Sequence, residues 1–232
     1  MKINAILFDK DGTLFDFNAT WGGWTRGLLD DESGGDAALM AALADAMGYD
    51  LGTGLFRADS IVIAHTADEV ADVILPLLPP QSKASLIARM NAKAAHAPQT
   101  EATPLIPFVT DLAARGLRLG VATNDAEAPA RAHLDTAGIA QMFDFIAGFD
   151  SGFGAKPAAG QLVAFCDHIG LPPAQCAMVG DSLHDLHAGR AAGMVTVGVL
   201  TGLATRADLA PSADIVLRSI AEIPAWLDGC DP

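Results

Sequence analysis

ILFDKDGTLFDF, residues 6–17, runs from an apolar, strand-like segment into two aspartates that stand one residue apart. Asp9 and Asp11 follow the apolar run at the point where a buried strand would end. Two carboxylates so close together repel each other when both are ionised. We therefore expect the pair to have a chemical use, either as ligands of a cation or as groups with separate acid–base roles.

From about residue 104 onward, short apolar runs alternate with helical patterns. In addition to the N-terminal run 2–8, we predict β-strands at 117–124, 143–148, 176–181, 195–200 and 213–217. These runs are mostly apolar on both faces, as buried strands of parallel sheets are. Four of the helical patterns end at a glycine, the residue of a C-terminal cap: Gly116, Gly138, Gly170 and Gly193. The alternation predicts an α/β fold with a Rossmann-like, doubly wound parallel sheet.

Residues 18–103 interrupt this alternation. They are rich in alanine and leucine, and three stretches have helical spacing: 36–48, 66–78 and 81–97. Thr66 and Glu69 have the spacing of a capping box at the start of the second stretch. We predict that 18–103 form an inserted α-helical domain, and that 1–17 and 104–232 form the α/β core domain.

The composition excludes several classes of protein. With 14 basic and 28 acidic residues, the formal net charge is −14, so the chain has no electrostatic footprint for nucleic acid or an anionic membrane. Cys166, Cys176 and Cys230 form no CxxC pair, which argues against a disulfide framework or a zinc site. The opening MKINAILF is too short for a signal peptide or a membrane span, and we expect a cytoplasmic location. The oligomeric state cannot be read from the sequence.

Polar side chains gather where the predicted strands end. They are Asp9, Asp11, Thr123, Asn124, Asp181 and Asp185. Ligands of open parallel sheets bind outside the carboxyl ends of the strands. Four aspartates that meet there would raise each other's pKa and could not all ionise without a counter-charge. A hard cation with oxygen ligands solves this problem, and the donor set suits Mg²⁺.

Lys156 gives a second indication. It precedes Pro157, which we interpret as the first residue of a helix, and a cation is unfavourable at a helix N-terminus. A nearby anion would remove the conflict. The hydroxyl of Thr123 and the backbone N–H of Asn124 offer further donors for that anion.

In these motifs the chain resembles the haloacid dehalogenase superfamily, in its phosphatase branch with a helical cap inserted after the first motif. It looks most similar to the phosphoglycolate-phosphatase-like members. The matching segments are DKDGT (9–13), Thr123 in VATND, Lys156 in AKP, and GDSLHD (180–185). Two positions depart from the usual pattern: Lys10 is commonly apolar in close relatives, and Ala158 is often a second proline. We interpret Lys10 as a surface charge at the end of a strand.

The resemblance implies a Mg²⁺-dependent phosphatase that acts on a small phosphorylated metabolite. Asp9 would attack phosphorus and form an aspartyl phosphate, while Asp11 would protonate the leaving group and then activate water. The metal would be held by Asp9, the backbone carbonyl of Asp11, and Asp181, with Asp185 further out. The phosphate-binding residues implied are Gly12, Thr123, Asn124 and Lys156.

Other functions remain open at this point. A phosphomutase of the same superfamily would use the same aspartates and transfer the phosphoryl group to a sugar. GDSL at 180–183 is also the motif of a serine esterase family, with Ser182 as nucleophile, but no histidine follows His187 to complete a triad. A non-catalytic phosphometabolite-binding protein would have no need of the pair Asp9 and Asp11.

The substrate is expected to be selected by the cap, because the core motifs address only the phosphoryl group and the metal. Phosphoglycolate and sugar phosphates are both compatible with the resemblance. Arg57, Ser60 and His65 lie in the aperiodic stretch 49–65 and are candidate specificity residues, although solvated loop residues would look the same. Trp21 and Trp24 are interpreted as hinge or core-packing residues.

Overall fold

The computed structural model describes residues 2–57, 59–63 and 65–230. Within these ranges the core is one parallel sheet with strands β1 (Ala5–Phe8), β2 (Arg118–Ala122), β3 (Phe145–Ala147), β4 (Cys176–Gly180), β5 (Val195–Val199) and β6 (Ile215–Leu217). The strands lie in the order β3-β2-β1-β4-β5-β6, and every neighbouring pair is parallel. This is the strand order of a doubly wound sheet, which confirms the α/β fold class.

The α-helices of the described residues surround the sheet and fill the insert. They are α1 (Phe17–Ser33), α2 (Ala37–Met47), α3 (Ala67–Ile74), α4 (Lys83–Ala94), α5 (Leu105–Ala114), α6 (Glu127–Thr136), α7 (Gly160–Ile169), α8 (Leu183–Ala192), α9 (Arg206–Leu209) and α10 (Ile223–Cys230). Glycines follow the ends of α5 to α8 in the left-handed conformation, as the C-terminal cap pattern predicts. Among these helices, none is both long and apolar enough to cross a bilayer.

Both faces of the sheet are buried, because successive side chains of a strand point to opposite sides. Ile6 and Phe8 of β1 belong to an apolar cluster with residues of α5, α6 and α10. Ala5 and Leu7 belong to a second cluster, formed with residues of α7 and α8. Two covered faces explain why the strands read as continuous apolar runs rather than as alternating ones.

Helices α1 to α4 have an apolar cluster of their own, which includes Trp24, Leu28 and Met90. The cluster runs from Phe17 to Ala97 along the chain, with contact from Leu203 of the core. In the chain, these four helices come after β1 and before α5. We propose on this basis that the chain divides into an α/β core and a helical cap close to the boundaries expected from the sequence.

Helix α1 was not predicted from the sequence. Asp16 caps its N-terminus by accepting a hydrogen bond from the backbone N–H of Ala19 at 2.8 Å. Three glycines inside the helix lower its intrinsic propensity and hide its period. Tertiary packing compensates: the Tyr49 hydroxyl donates to the carbonyl of Gly22 at 3.1 Å, and Trp24 donates to the carbonyl of Met90 at 3.2 Å.

Candidate active site

The candidate site lies at the carboxyl ends of β1 and β4. These strands are neighbours in the sheet although they are far apart in the chain, so the sheet reverses its winding direction between them. Asp9 directly follows β1, and its backbone N–H donates to the carbonyl of Val179 at 2.8 Å. Asp181 directly follows β4. This reversal point is where doubly wound folds bind their ligands.

Three aspartates meet at this point. Asp9, Asp181 and Asp185 are buried, and one carboxylate oxygen of each lies within 4.8 Å of the others. Burial, opposed in part by Lys156, raises the pKa of Asp9 to about 7. Burial and the charges of Asp9 and Asp185 raise the pKa of Asp181 well above its usual range. The cluster therefore resists full ionisation unless a cation compensates it.

Lys156 is the lysine that the structure brings into this cluster. Its Nζ lies 2.6 Å from Asp9 Oδ1 and 2.6 Å from Asp185 Oδ1. Burial acts against the charged ammonium, but the two carboxylates outweigh it and raise the pKa of Lys156 above its usual value. One ammonium thus contacts two of the three carboxyl groups, so the cluster would carry a net negative charge if all three were ionised.

The expected helix start at Pro157 is wrong, because α7 begins at Gly160. Residues 155–159 form a turn that contains a cis peptide bond between Lys156 and Pro157. The backbone N–H of Lys156 donates to Asn124 Oδ1, and its carbonyl accepts from Asn124 Nδ2, both at 2.9 Å. The Asn124 side chain therefore occupies the backbone groups that a helix would use.

Thr123 and Gly12 also follow the carboxyl ends of strands, β2 and β1. Thr123 follows β2, and its hydroxyl accepts a hydrogen bond from the N–H of Asp125 at 3.0 Å, which directs the hydroxyl hydrogen elsewhere. Gly12 has φ of 83°. A Cβ at Gly12 would lie 2.4 Å from Asp181 Oδ2, so only glycine lets the backbone pass this close to the carboxylate.

The interpretation of Lys10 as a surface charge is wrong. Its side chain is fully buried, and Nζ lies 2.7 Å from Asp11 Oδ1, 3.3 Å from Asp125 Oδ2 and 3.0 Å from His133 Nδ1. Burial disfavours its charge, but Asp11 and Asp125 outweigh burial and raise the pKa of Lys10. Lys10 is therefore an internal counter-ion that holds the carboxylate of Asp11.

His133 continues this network to the cap. Its Nε2 lies 2.7 Å from the carbonyl oxygen of Ala94, the last residue of α4. Burial and the charge of Lys10 lower the pKa of His133 to about 4, so the imidazole is neutral at pH 7. Burial raises the pKa of Asp125 to about 6 despite Lys10. Asp125 lies next to the expected Asn124, but only the fold shows that it faces Lys10.

Replacing Lys10 by methionine is expected to destabilise the protein strongly. The change keeps the length and apolar stem of the side chain but leaves Asp11 and Asp125 without their counter-charge. Removing one partner of a buried ion pair costs about 3–5 kcal/mol. We expect the free energy of unfolding, measured by urea denaturation, to fall by this amount.

Lys83→Met is the matched control. Lys83 pairs with Asp68 and Asp72 near the surface of the cap, at 2.8 and 2.7 Å, and its side chain is 30% exposed. Exposed pairs contribute little to stability. Equal losses in the two variants would show that burial of Lys10 carries no special energetic weight.

The cavity above the aspartates extends into the cap. Trp21, Trp24, Val62 and other apolar cap residues form its far wall, in addition to the packing role expected for the tryptophans. His65 lines the cavity, and its ring centroid lies 5.9 Å from that of His184 in the GDSLHD motif. His184 was not singled out from the sequence, and burial lowers its pKa.

Of the candidate specificity residues, the structure brings only His65 to the cavity. The guanidinium of Arg57 instead bonds Asp45 Oδ1 at 2.9 Å and lies 3.5 Å from Asp59 on the surface. The hydroxyl of Ser60 is buried and donates to the carbonyl of Met47 at 2.6 Å. The expectation that these two residues face the substrate is corrected, because both side chains bind the loop to α2.

Comparisons with known proteins agree on one family. A sequence model of the haloacid dehalogenase-like hydrolases matches residues 3–193. The phosphoglycolate phosphatase of Rhodospirillum rubrum is 31% identical over 228 residues, which cover 96% of this chain and 90% of the relative.

Solved structures share the fold at lower identity. A variant of CbbY from Rhodobacter sphaeroides, in complex with xylulose-1,5-bisphosphate, is 22% identical with a TM-score of 0.71 over 95% of this chain and 96% of that one. The β-phosphoglucomutase of Clostridium difficile is 16% identical with a TM-score of 0.68 over 98% of both chains. The family match spans most of the chain and includes the aspartate cluster with Lys156, and the chain therefore belongs to the haloacid dehalogenase-like hydrolases.

Proposed function

We propose that the chain is a Mg²⁺-dependent phosphatase that hydrolyses a small phosphomonoester through an aspartyl phosphate on Asp9. The observation that carries this proposal is the buried cluster of Asp9, Asp181 and Asp185 around Lys156, at the carboxyl ends of β1 and β4. The likeness to the Rhodospirillum rubrum phosphoglycolate phosphatase supports the same reaction class. That likeness makes phosphoglycolate and sugar phosphates the first esters to test.

The donor set fits a magnesium ion. All three carboxylates offer oxygen ligands. The hydrogen bond that Asp181 accepts from the Thr13 hydroxyl is long, at 3.4 Å, so it competes only weakly with a metal for the Asp181 oxygen. Asp9, Asp181 and the backbone carbonyl of Asp11 would hold the metal, with Asp185, which accepts from Lys156 and Ser182, further out. When bound, Mg²⁺ would offset charge on the phosphoryl oxygens.

The protein groups would then divide the reaction between them. Asp9 would attack phosphorus as the bond to the leaving oxygen breaks, and Asp11 would give that oxygen its proton. In the second half, Asp11 would take a proton from water as the water attacks the phosphoryl group and releases Asp9. Lys156, Thr123 and the backbone N–H of Asn124 would hold the phosphoryl oxygens. Gly12 would keep the backbone close to them.

The other functions compatible with the sequence receive less support. The Ser182 hydroxyl donates to Asp185 Oδ2 at 2.7 Å and caps α8, which gives it a structural task in place of an esterase nucleophile. A non-catalytic phosphometabolite-binding protein would not need a carboxyl group fixed as that of Asp11 is, by Lys10 and close to the proposed nucleophile Asp9.

A phosphomutase would keep the same aspartates, and the likeness to β-phosphoglucomutase shows the fold alone. Release of inorganic phosphate separates the two activities. We expect stoichiometric phosphate from a phosphomonoester panel in the presence of Mg²⁺. An isomerised sugar phosphate without free phosphate would refute hydrolysis.

Magnesium is expected to raise the melting temperature of the protein, and to raise it more at about pH 8 than at about pH 6. The pKa of Asp9 is raised to about 7 without metal, so below that pH the carboxyl carries a proton that competes with the cation. Above it, the ionised cluster gains more from the ion. Thermal melts at both pH values, with and without Mg²⁺, measure the difference.

Asp181→Asn is expected to remove most of this stabilisation, because it deletes one charged ligand. Asp59→Asn is the control, since Asp59 is 82% exposed in its side chain and lies outside the cavity. A magnesium shift that is the same in both variants would place the cation elsewhere.

A further inference from the structure

The part of the cavity that would receive the leaving group is apolar. Its cap wall contains Trp21, Trp24, Val62, Ile63, Val70 and Met90. The indole N–H of Trp24 is used inside the cap, in its hydrogen bond to Met90, so that ring presents carbon to the cavity. The polar side chains on the cap side of the cavity are those of His65 and Asn91.

Among the described residues of the cap, every lysine and arginine is already paired with an acidic residue. Each lysine and arginine between residues 18 and 103 forms an ion pair with an acidic residue of the cap: Arg26 with Asp30, Arg57 with Asp45, Lys83 with Asp68, Arg89 with Glu32, and Lys93 with Asp31. None of these five side chains lines the cavity in the described structure.

The core lends no cation to the leaving group either. Lys156 is the lysine that lines the cavity among the described residues, and its ammonium lies between Asp9 and Asp185. Lys10 is enclosed by Asp11, Asp125 and His133. Both ammonium groups are committed to carboxylates of the reaction centre.

We propose that the preferred substrate is a phosphomonoester of an uncharged, largely apolar alcohol, and that esters with a carboxylate or a second phosphate on the leaving group are selected against. This proposal rests on the phosphatase function proposed above. A carboxylate placed against the tryptophan, valine and methionine side chains would lose its hydration without gaining a paired cation, which is strongly unfavourable. An aryl or alkyl group would bury apolar surface there instead.

A comparison of matched esters tests the proposal with the unmodified protein. Ethyl phosphate and phosphoglycolate both have a two-carbon leaving group, which carries a carboxylate only in phosphoglycolate. Phenyl phosphate has a larger apolar leaving group. We expect kcat/KM for ethyl and phenyl phosphate to exceed that for phosphoglycolate by at least about tenfold, since an unpaired buried charge discriminates strongly. A kcat/KM for phosphoglycolate equal to or above that for ethyl phosphate would overturn the proposal.

A cation added to the wall should reverse the preference. In Val62→Arg, the ratio of kcat/KM for phosphoglycolate to that for ethyl phosphate is expected to rise at least about tenfold, because the new guanidinium can pair with the carboxylate. Val73→Arg is the matched control: Val73 is an exposed cap residue of α3 outside the cavity, and its ratio should stay as in the unmodified protein. An equal ratio in both variants would refute this wall as the selector.

Failure of the proposal can be told apart from failure of the phosphatase function. Preference for phosphoglycolate leaves the phosphatase function standing and removes only the apolar leaving group. Absence of phosphate release from every ester, with Mg²⁺ present and a folded protein, removes the phosphatase function itself. The ester comparison uses the unmodified protein, so it still tests the proposal if the Val62→Arg variant does not fold.

Discussion

Phosphate release is expected to disappear when Asp9 is replaced by asparagine. The amide cannot attack phosphorus, and it removes one charged group from the cluster with Asp181 and Asp185. Loss of a nucleophile in a covalent mechanism lowers kcat by at least about 10⁴-fold. The protein should stay folded, because asparagine has the shape of aspartate and Lys156 keeps its 2.6 Å contact with Asp185.

The measurement is the steady-state rate of phosphate release, with thermal melting as the check on folding. Asp59→Asn provides the same chemical change on the surface of the cap and should keep full activity. Turnover in Asp9→Asn within tenfold of the unmodified protein would show that another group, or water itself, attacks the substrate.

Asp11→Asn is expected to lower kcat/KM by about 10²–10⁴-fold on an alkyl phosphate, which is the usual weight of general acid–base catalysis. Asp11 lies in the cavity with its carboxylate held by Lys10 at 2.7 Å, so it is fixed beside the nucleophile. The loss should be smaller for 4-nitrophenyl phosphate, because its leaving group departs without a proton.

Asp125→Asn is the control for this experiment, because it removes the other carboxylate partner of Lys10. It should reduce stability without a dependence on the leaving group. A loss below tenfold in Asp11→Asn on the alkyl ester, or equal losses on both esters, would remove Asp11 from the role of general acid.

The sheet could be predicted from the sequence because its signals are local. The strands are buried on both faces and so read as apolar runs, and glycines such as Gly138 and Gly193 close the helices where the left-handed conformation is needed. Helix α1 also ends at a left-handed glycine, Gly34, but it lacks a clear apolar period. Its glycines weaken the pattern, and the contacts that stabilise it come from Tyr49 and Met90, which are distant in the chain.

The meeting of the aspartates at the candidate site could be predicted because Asp9 and Asp181 each follow a strand, and parallel strands bring their ends together. Lys10 could not be predicted as a buried cation, because its partners Asp125 and His133 come from another part of the chain. Arg57 and Ser60 failed as cavity residues for the same reason. A polar side chain in an aperiodic loop can serve the loop as well as a ligand, and only the fold shows which.

Stereochemistry at phosphorus tests the aspartyl phosphate most directly. The substrate is a phenyl phosphorothioate made chiral by sulfur and a heavy oxygen isotope, hydrolysed with Mg²⁺ in water that carries a third oxygen isotope. Attack by Asp9 and then by water gives two in-line displacements, and each one inverts the configuration. The thiophosphate product is therefore expected to show overall retention. Inversion would mean a single direct attack by water and would contradict the covalent role of Asp9.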